Sequence, residues 1–220
     1  MTGLAEAGYA AVGVEYRLSH EAPFPAAVHD VKCAVRWLRA NATVFNLDPD
    51  RFAAVGLSAG GYLACILGLT TPLYGFEGKG GFSSYPSDVQ VVISYAGISD
   101  LAKWHKDGGF LAKYCVNRFM KDSPDKAPDL FKKANPISYA RGDLAAVLLI
   151  HGTEDTIVPF KQSLEMEAAL KAAKANVQLV PIKGADHMLT DDETKAAEAA
   201  ALKFLDENFR SRRAVKENGR

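Results

Sequence analysis

A serine stands at the centre of Gly56-Leu57-Ser58-Ala59-Gly60-Gly61, where the run Arg51-Phe52-Ala53-Ala54-Val55 gives way to Tyr62-Leu63-Ala64-Cys65-Ile66-Leu67. The first run is short, largely apolar and without helical period, as in a strand; the second suits a buried helix. A serine on such a strand-to-helix turn reads as a nucleophile elbow. The strained backbone pushes the hydroxyl out to where a base can reach it, and Gly56 and Gly60, two residues either side, are expected to let strand and helix approach. The spacing alone is a weak signal, because a small serine in a glycine-rich turn can equally cap the helix that follows.

A nucleophilic serine needs a base to take its proton, and the base needs a carboxylate to hold its tautomer and stabilise the imidazolium that forms. The chain supplies both, in order. His151-Gly152-Thr153-Glu154-Asp155-Thr156-Ile157-Val158-Pro159 puts Asp155 on a loop at the carboxyl end of one strand-like run, and Lys183-Gly184-Ala185-Asp186-His187-Met188 puts His187 after the next. In an open α/β sheet such loops converge at one edge, where the elbow serine also sits. The bland roles are an N-cap for Asp155 and a surface loop position for His187. Glu154 and Asp100 are rival carboxylates; Asp186, as the neighbour of His187, should point elsewhere. His151 opens a tight turn and reads as a structural hydrogen bonder. His20, His29 and His105 lack metal-ligand spacing, and no glycine-rich phosphate loop precedes a helix, so no metal, nucleotide or other cofactor is implied.

Strand-like and helix-like segments alternate, the pattern of a parallel sheet covered by helices on both faces. Strands are predicted at Tyr9–Tyr16, Arg51–Leu57, Val89–Ala96, Ala145–His151 and Val177–Ile182. Helices are predicted at about Pro25–Ala42, Ala59–Leu69, Phe160–Lys174 and Asp191–Phe209. Phe160, Leu164 and Ala168 recur at i, i+4, i+8 as an apolar face. The last helix opens on Asp191, Asp192 and Glu193, with Arg210, Arg212 and Arg213 beyond its end, each sign suiting the helix dipole. Residues from Ser211 onward are polar and expected to fray.

Two segments break the alternation. Thr71–Asp88, rich in Gly, Pro and Ser, reads as a long loop. Residues 101–143 carry Trp104, Phe110, Tyr114, Phe119, Phe131 and Tyr139, too long for a connection and too apolar for a linker. That excursion reads as a cap-like insertion, or alternatively as extra helices packed on the scaffold, its aromatic residues lining a pocket or filling core.

At 220 residues, 48% of them hydrophobic, the chain has the size and composition of a single soluble domain spanning 1–220. Its 26 basic and 26 acidic residues cancel, leaving no field to draw in nucleic acid or an acidic membrane, so a small neutral ligand is the easier partner. Cys33, Cys65 and Cys115 form no disulfide framework or zinc-spaced cluster and read as buried free thiols. No apolar run reaches the roughly 20 residues of a membrane span, and the first residues lack signal-peptide order. A cytoplasmic location is the expectation for the chain as it stands; an upstream segment would leave export open.

The order Ser, Asp, His resembles that of α/β-hydrolases. With the elbow, Tyr16-Arg17-Leu18, Glu21-Ala22-Pro23-Phe24-Pro25-Ala26-Ala27 with Asp30, and the H-G-x-x-D-x-x-V-P loop, the chain resembles carboxylesterases related to feruloyl and acetylxylan esterases, and next the hormone-sensitive-lipase-like esterases. The resemblance covers nearly the whole chain. It implies Ser58 as nucleophile, Asp155 as triad acid, His187 as base, the backbone N–H of Ala59 as an oxyanion donor, and hydrolysis of a small-molecule ester through an acyl-serine intermediate. A prolyl-oligopeptidase-type peptidase shares the same loop, and a non-catalytic hydrolase-fold binding module is the alternative from another class.

One departure matters. Such proteins carry, upstream of the segment matching Tyr9–Tyr16, further strands and a His-Gly-Gly loop that completes the oxyanion hole. The strand leading into that loop lies between those matching Tyr9–Tyr16 and Arg51–Leu57. Buried strand edges cannot stay unpaired. The expectation is therefore that Tyr9–Tyr16 shifts to pair with Arg51–Leu57, or that a second copy of the chain fills the gap as a homodimer.

Overall fold

The structure, a computed structural model, describes residues 2–218, with side chains from residue 3 to residue 209. In chain order the elements are α1 (Thr2–Glu6), α2 (Ala26–Ala40), β1 (Ala53–Leu57), α3 (Ala59–Leu69), β2 (Val91–Tyr95), α4 (Leu101–Asp107), α5 (Gly109–Met120), α6 (Pro128–Ala134), β3 (Ala146–Gly152), α7 (Lys161–Ala172), β4 (Val177–Ile182) and α8 (Asp191–Asn218). The strands form one parallel sheet in the order β1-β2-β3-β4, with Ile93 of β2 opposite both Val55 and Leu148. Parallel strands need crossover helices, and these cover both faces.

The central strands show the consequence. Val91, Val92, Ile93, Val147, Leu148, Leu149 and Ile150 are all buried, because alternate side chains enter two different cores. Val92, Val147 and Leu149 meet Val28 and Val31 of α2 and Leu63 and Ile66 of α3. Val91, Ile93, Leu148 and Ile150 meet Ala197, Ala201, Phe204 and Leu205 of α8.

Four of the five predicted strands form; Tyr9–Tyr16 does not. That stretch carries neither helix nor strand, and Val12 and Val14 are 52% and 38% exposed. It is tied down at its ends instead. The Tyr9 hydroxyl donates to Asp206 Oδ1 at 2.6 Å, and Arg17 pairs with Asp30 at 2.8 Å. Among the described residues no strand pairs with β1 on that side, so β1 keeps an open edge, and Val55 and Leu57 are 44% and 45% exposed. The expected shift of Tyr9–Tyr16 onto β1 is thus not met: β propensity makes a strand only where a second strand lies within hydrogen-bonding distance.

Two helices also differ from expectation. The inward stripe of α7 is Gln162, Ser163, Met166 and Leu170, whereas Leu164 is 46% exposed and Ala168 faces solvent. Two polar residues occupy the buried face because they serve as hydrogen-bond partners, so apolar periodicity marked the wrong side. The final helix continues to Asn218 instead of ending at Phe209. The side chains of Arg210, Arg212 and Arg213 lie outside the described residues. Of the cysteines, only Cys65 is buried; Cys33 and Cys115 are partly exposed, and all three are free.

Residues 101–143 fold into α4, α5, α6 and a 3-10 turn at Pro136–Tyr139, and Trp104, Ala112, Val116, Met120, Phe131 and Tyr139 join the larger core. Phe110, at 86% exposed, lies outside the core. Gln162 Oε1 accepts from the N–H groups of Ser99 at 2.9 Å and Asp100 at 2.8 Å, pinning the root of the excursion to α7. The loop after α3 is held by ions: the wholly buried Lys32 of α2 meets Glu77 at 3.2 Å, and Arg36 meets the same carboxylate at 2.6 Å.

Candidate active site

Ser58 sits between β1 and α3 with φ 55° and ψ −115°. A non-glycine residue held there costs about 1–3 kcal/mol and persists only where its surroundings impose it. They do: the Ser58 N–H donates to the Tyr95 carbonyl at 2.8 Å, and the Ser58 carbonyl accepts from Tyr62 N at 2.9 Å. The hydroxyl makes no capping bond to α3, so the cap reading of this serine does not hold.

The glycines divide differently from expectation. A Cβ on Gly56 would overlap the Gly60 carbonyl, but one on Gly60 would meet nothing within 4 Å. The second close approach falls instead at Gly61, whose Cβ would lie 2.7 Å from Ser94 Oγ and 3.0 Å from the Gly97 Cα. Packing of α3 on the adjacent strand β2, not on β1 alone, sets that requirement. Ala59 opens α3, where the backbone N–H has no intrahelical acceptor.

The loops after β3 and β4 are laced together. Thr153 N donates to Ile182 O and Glu154 N to Ala185 O, each at 3.0 Å, and Gly184 N donates to Thr153 Oγ1 at 2.9 Å. This brings His187 Nδ1 to 2.7 Å from Asp155 Oδ2, with both residues 8% exposed. Asp155 Oδ1 accepts from Ile157 N at 2.9 Å and Val158 N at 2.8 Å, while His151 Nε2 approaches Oδ2 at 3.0 Å. Burial pushes the carboxyl up, but hydrogen bonds from His151, His187 and the Val158 and Ile157 amides outweigh it and hold Asp155 down at about 2. Asp155 therefore stays ionised. A carboxylate only accepts, so Nδ1 of His187 carries the proton and Nε2 is left to accept.

The rival carboxylates are engaged elsewhere. Asp100 Oδ1 caps α4 through Lys103 N at 3.0 Å and takes Asn135 Nδ2 at 2.9 Å. Asp186 Oδ1 accepts from Thr156 N at 2.8 Å and His187 N at 2.7 Å, and Glu154 is exposed. Asp155 caps no helix, since α7 starts only at Lys161, and His187 is not a surface position. Ser58 shares the carboxyl edge of the sheet with these loops, two strands from β3. Among the described residues its hydroxyl forms no hydrogen bond with His187.

Sequence reasoning missed Ser163, whose Oγ lies 2.7 Å from His151 Nδ1. Its signal was a polar pair, Gln162-Ser163, at the start of α7, on the face that repeats through Met166 and Leu170.

An open parallel sheet with an elbow serine after one strand, an aspartate after the third and a histidine after the fourth defines an α/β-hydrolase. The chain belongs to the BD-FAE family, which it matches over residues 1–170, and residues 131–210 also match the dienelactone hydrolase family. It is 31% identical to Esterase LipQ of Mycobacterium tuberculosis over 188 residues, 85% of this chain and 44% of LipQ. Among solved structures, a truncated form of a carbohydrate esterase from gut microbiota superposes with a TM-score of 0.80 at 28% identity, over 94% of this chain and 76% of the other. Thermogutta terrifontis esterase 2 phosphorylated by paraoxon follows with a TM-score of 0.71 at 25% identity, over 88% of this chain and 68% of the other. The chain spans about half the length of the curated relatives it matches.

Proposed function

We propose that the chain is a serine carboxylesterase acting on short-chain acyl or aromatic-acid esters. The observation that carries this is the buried 2.7 Å bond between His187 and Asp155 on the sheet edge where Ser58 is held at φ 55°. Ser58 Oγ attacks the ester carbonyl while His187 Nε2 takes its proton, and Asp155 stabilises the resulting imidazolium. The Ala59 N–H holds the oxyanion. Collapse expels the alcohol, which takes the proton back from His187, and water then releases the acid by the same steps in reverse. The esterase names of relatives, and the phosphorylation of a structural neighbour by paraoxon, support the assignment.

The test is turnover of p-nitrophenyl acetate by the wild-type chain and by Ser58→Ala, with paraoxon as a covalent probe. The expected result is turnover and single-site phosphorylation lost together in Ser58→Ala. Equal rates in the two proteins would leave a hydrolase-fold binding module as the better description.

The same reading extends to the open edge of β1. Its outward backbone groups and the exposed Val55 and Leu57 suit an added strand, and the Tyr9–Tyr16 stretch of a second copy, which carries neither helix nor strand and exposes Val12 and Val14, offers one. An intermolecular crosslink between cysteines at positions 12 and 55 is expected at micromolar concentration; a monomer by sedimentation at every concentration overturns it.

A further inference from the structure

Asp155 Oδ2 receives two imidazoles. His187 Nδ1 lies 2.7 Å away and His151 Nε2 3.0 Å away, and the His151 ring is 1% exposed, so no bulk water competes for it. The other neighbour of His151 Nε2 is the Val158 carbonyl at 2.9 Å. Both neighbours only accept, so Nε2 carries a proton. On the far side of the ring, Ser163 Oγ lies 2.7 Å from Nδ1 and supplies an O–H to it. The Ser163 backbone is fixed at the start of α7 by its bond to Phe160 O at 3.0 Å, and the Phe160 ring meets the imidazole edge-on at 5.7 Å.

We infer that His151 is a positioning residue for the Asp155–His187 pair, its Nε2–H sharing Asp155 Oδ2 with His187 and so setting how strongly that oxygen holds the His187 Nδ1–H. The inference rests on the triad reading above. With two amides on Oδ1 and two imidazoles on Oδ2, the carboxylate has four donors and no freedom to rotate. The donor from His151 draws charge from the oxygen that faces His187. Removing it leaves a stronger acceptor for His187, which favours the imidazolium, and also loosens the carboxylate. The titratable groups facing this pair are His151 itself and Asp186, which adjoins His187 and feels the charge of Asp155.

The test combines nitrogen and proton NMR of histidine-labelled resting protein with pH profiles of p-nitrophenyl acetate hydrolysis for wild type, H151F and H151Q. In wild type, His151 Nε2 is expected to be protonated and Nδ1 bare. In H151F the acid limb of kcat/KM moves up by about half to one pH unit, because Asp155 Oδ2, with one donor fewer, becomes the stronger acceptor for His187 Nδ1–H. Its kcat falls about 10- to 100-fold through loss of orientation, with KM within about twofold. H151Q, whose amide N–H can reach Asp155 Oδ2, restores the limb. A bare Nε2 in wild type overturns the inference, as does a folded H151F whose limb and His187 Nδ1–H resonance stay in place. If H151F does not fold, the wild-type tautomer still decides. Failure of the esterase reading shows separately, as undiminished turnover by Ser58→Ala.

Discussion

His187 Nδ1 lies 2.7 Å from Asp155 Oδ2 across 32 positions of sequence. Neither loop holds this pair alone. The loop after β3 bends Asp155 inward through the Ile157 and Val158 amides, and the loop after β4 fixes His187 through Asp186, which is itself held by Thr156 of the first loop. The geometry therefore belongs to two adjacent parallel strands whose following loops bond to each other.

Asp155→Asn keeps the shape but offers His187 an amide in place of a charge. Turnover is expected to fall about 10³- to 10⁴-fold, the scale of the same change in a Ser-His-Asp template. Glu154→Gln and Asp100→Asn, which alter an exposed side chain and a helix cap, should stay within about threefold. A steady-state assay on the three proteins, with circular dichroism to confirm folding, decides among the carboxylates.

Acid should destabilise the protein through Asp155. Its folded-state pKa, about 2, lies below the ordinary 3.8, so its contribution is fully present above about pH 4 and disappears as pH falls towards 2. Urea midpoints measured across that window should fall less steeply for Asp155→Asn than for wild type, because the substituted side chain takes up no proton.

Gly61→Ala should lower stability by about 1–3 kcal/mol, since its Cβ would meet Ser94 Oγ at 2.7 Å and the Tyr95 carbonyl at 3.0 Å. Gly60→Ala faces open space on a helix and should be neutral, or stabilising by up to about 1 kcal/mol. Urea unfolding of both variants checks the reversal of the usual expectation for G-x-S-x-G.

Glu77→Ala should be more damaging than Lys32→Met. The first strands two buried cations, Lys32 and Arg36, whereas the second leaves Glu77 paired with Arg36 at 2.6 Å. Losses of about 2–4 and about 1–2 kcal/mol are expected, read from equilibrium unfolding.

The chain sequence by itself determined the local parts: the apolar runs of β1 to β4, the helices between them, the elbow at Ser58, and the order in which Ser58, Asp155 and His187 arrive. Each is written in neighbouring residues, through periodicity, turn chemistry or motif spacing. Tertiary structure alone decided the rest. Tyr9–Tyr16 has strand composition but, among the described residues, no strand beside it, so it forms neither strand nor helix. The buried side of α7 holds Gln162 and Ser163 because Ser99, Asp100 and His151 lie opposite and hydrogen-bond to them. Gly61, not Gly60, is the crowded glycine because β2 lies behind it. In each case the outcome depends on a partner distant in the chain, and side-chain pattern carries no record of what folding will place opposite.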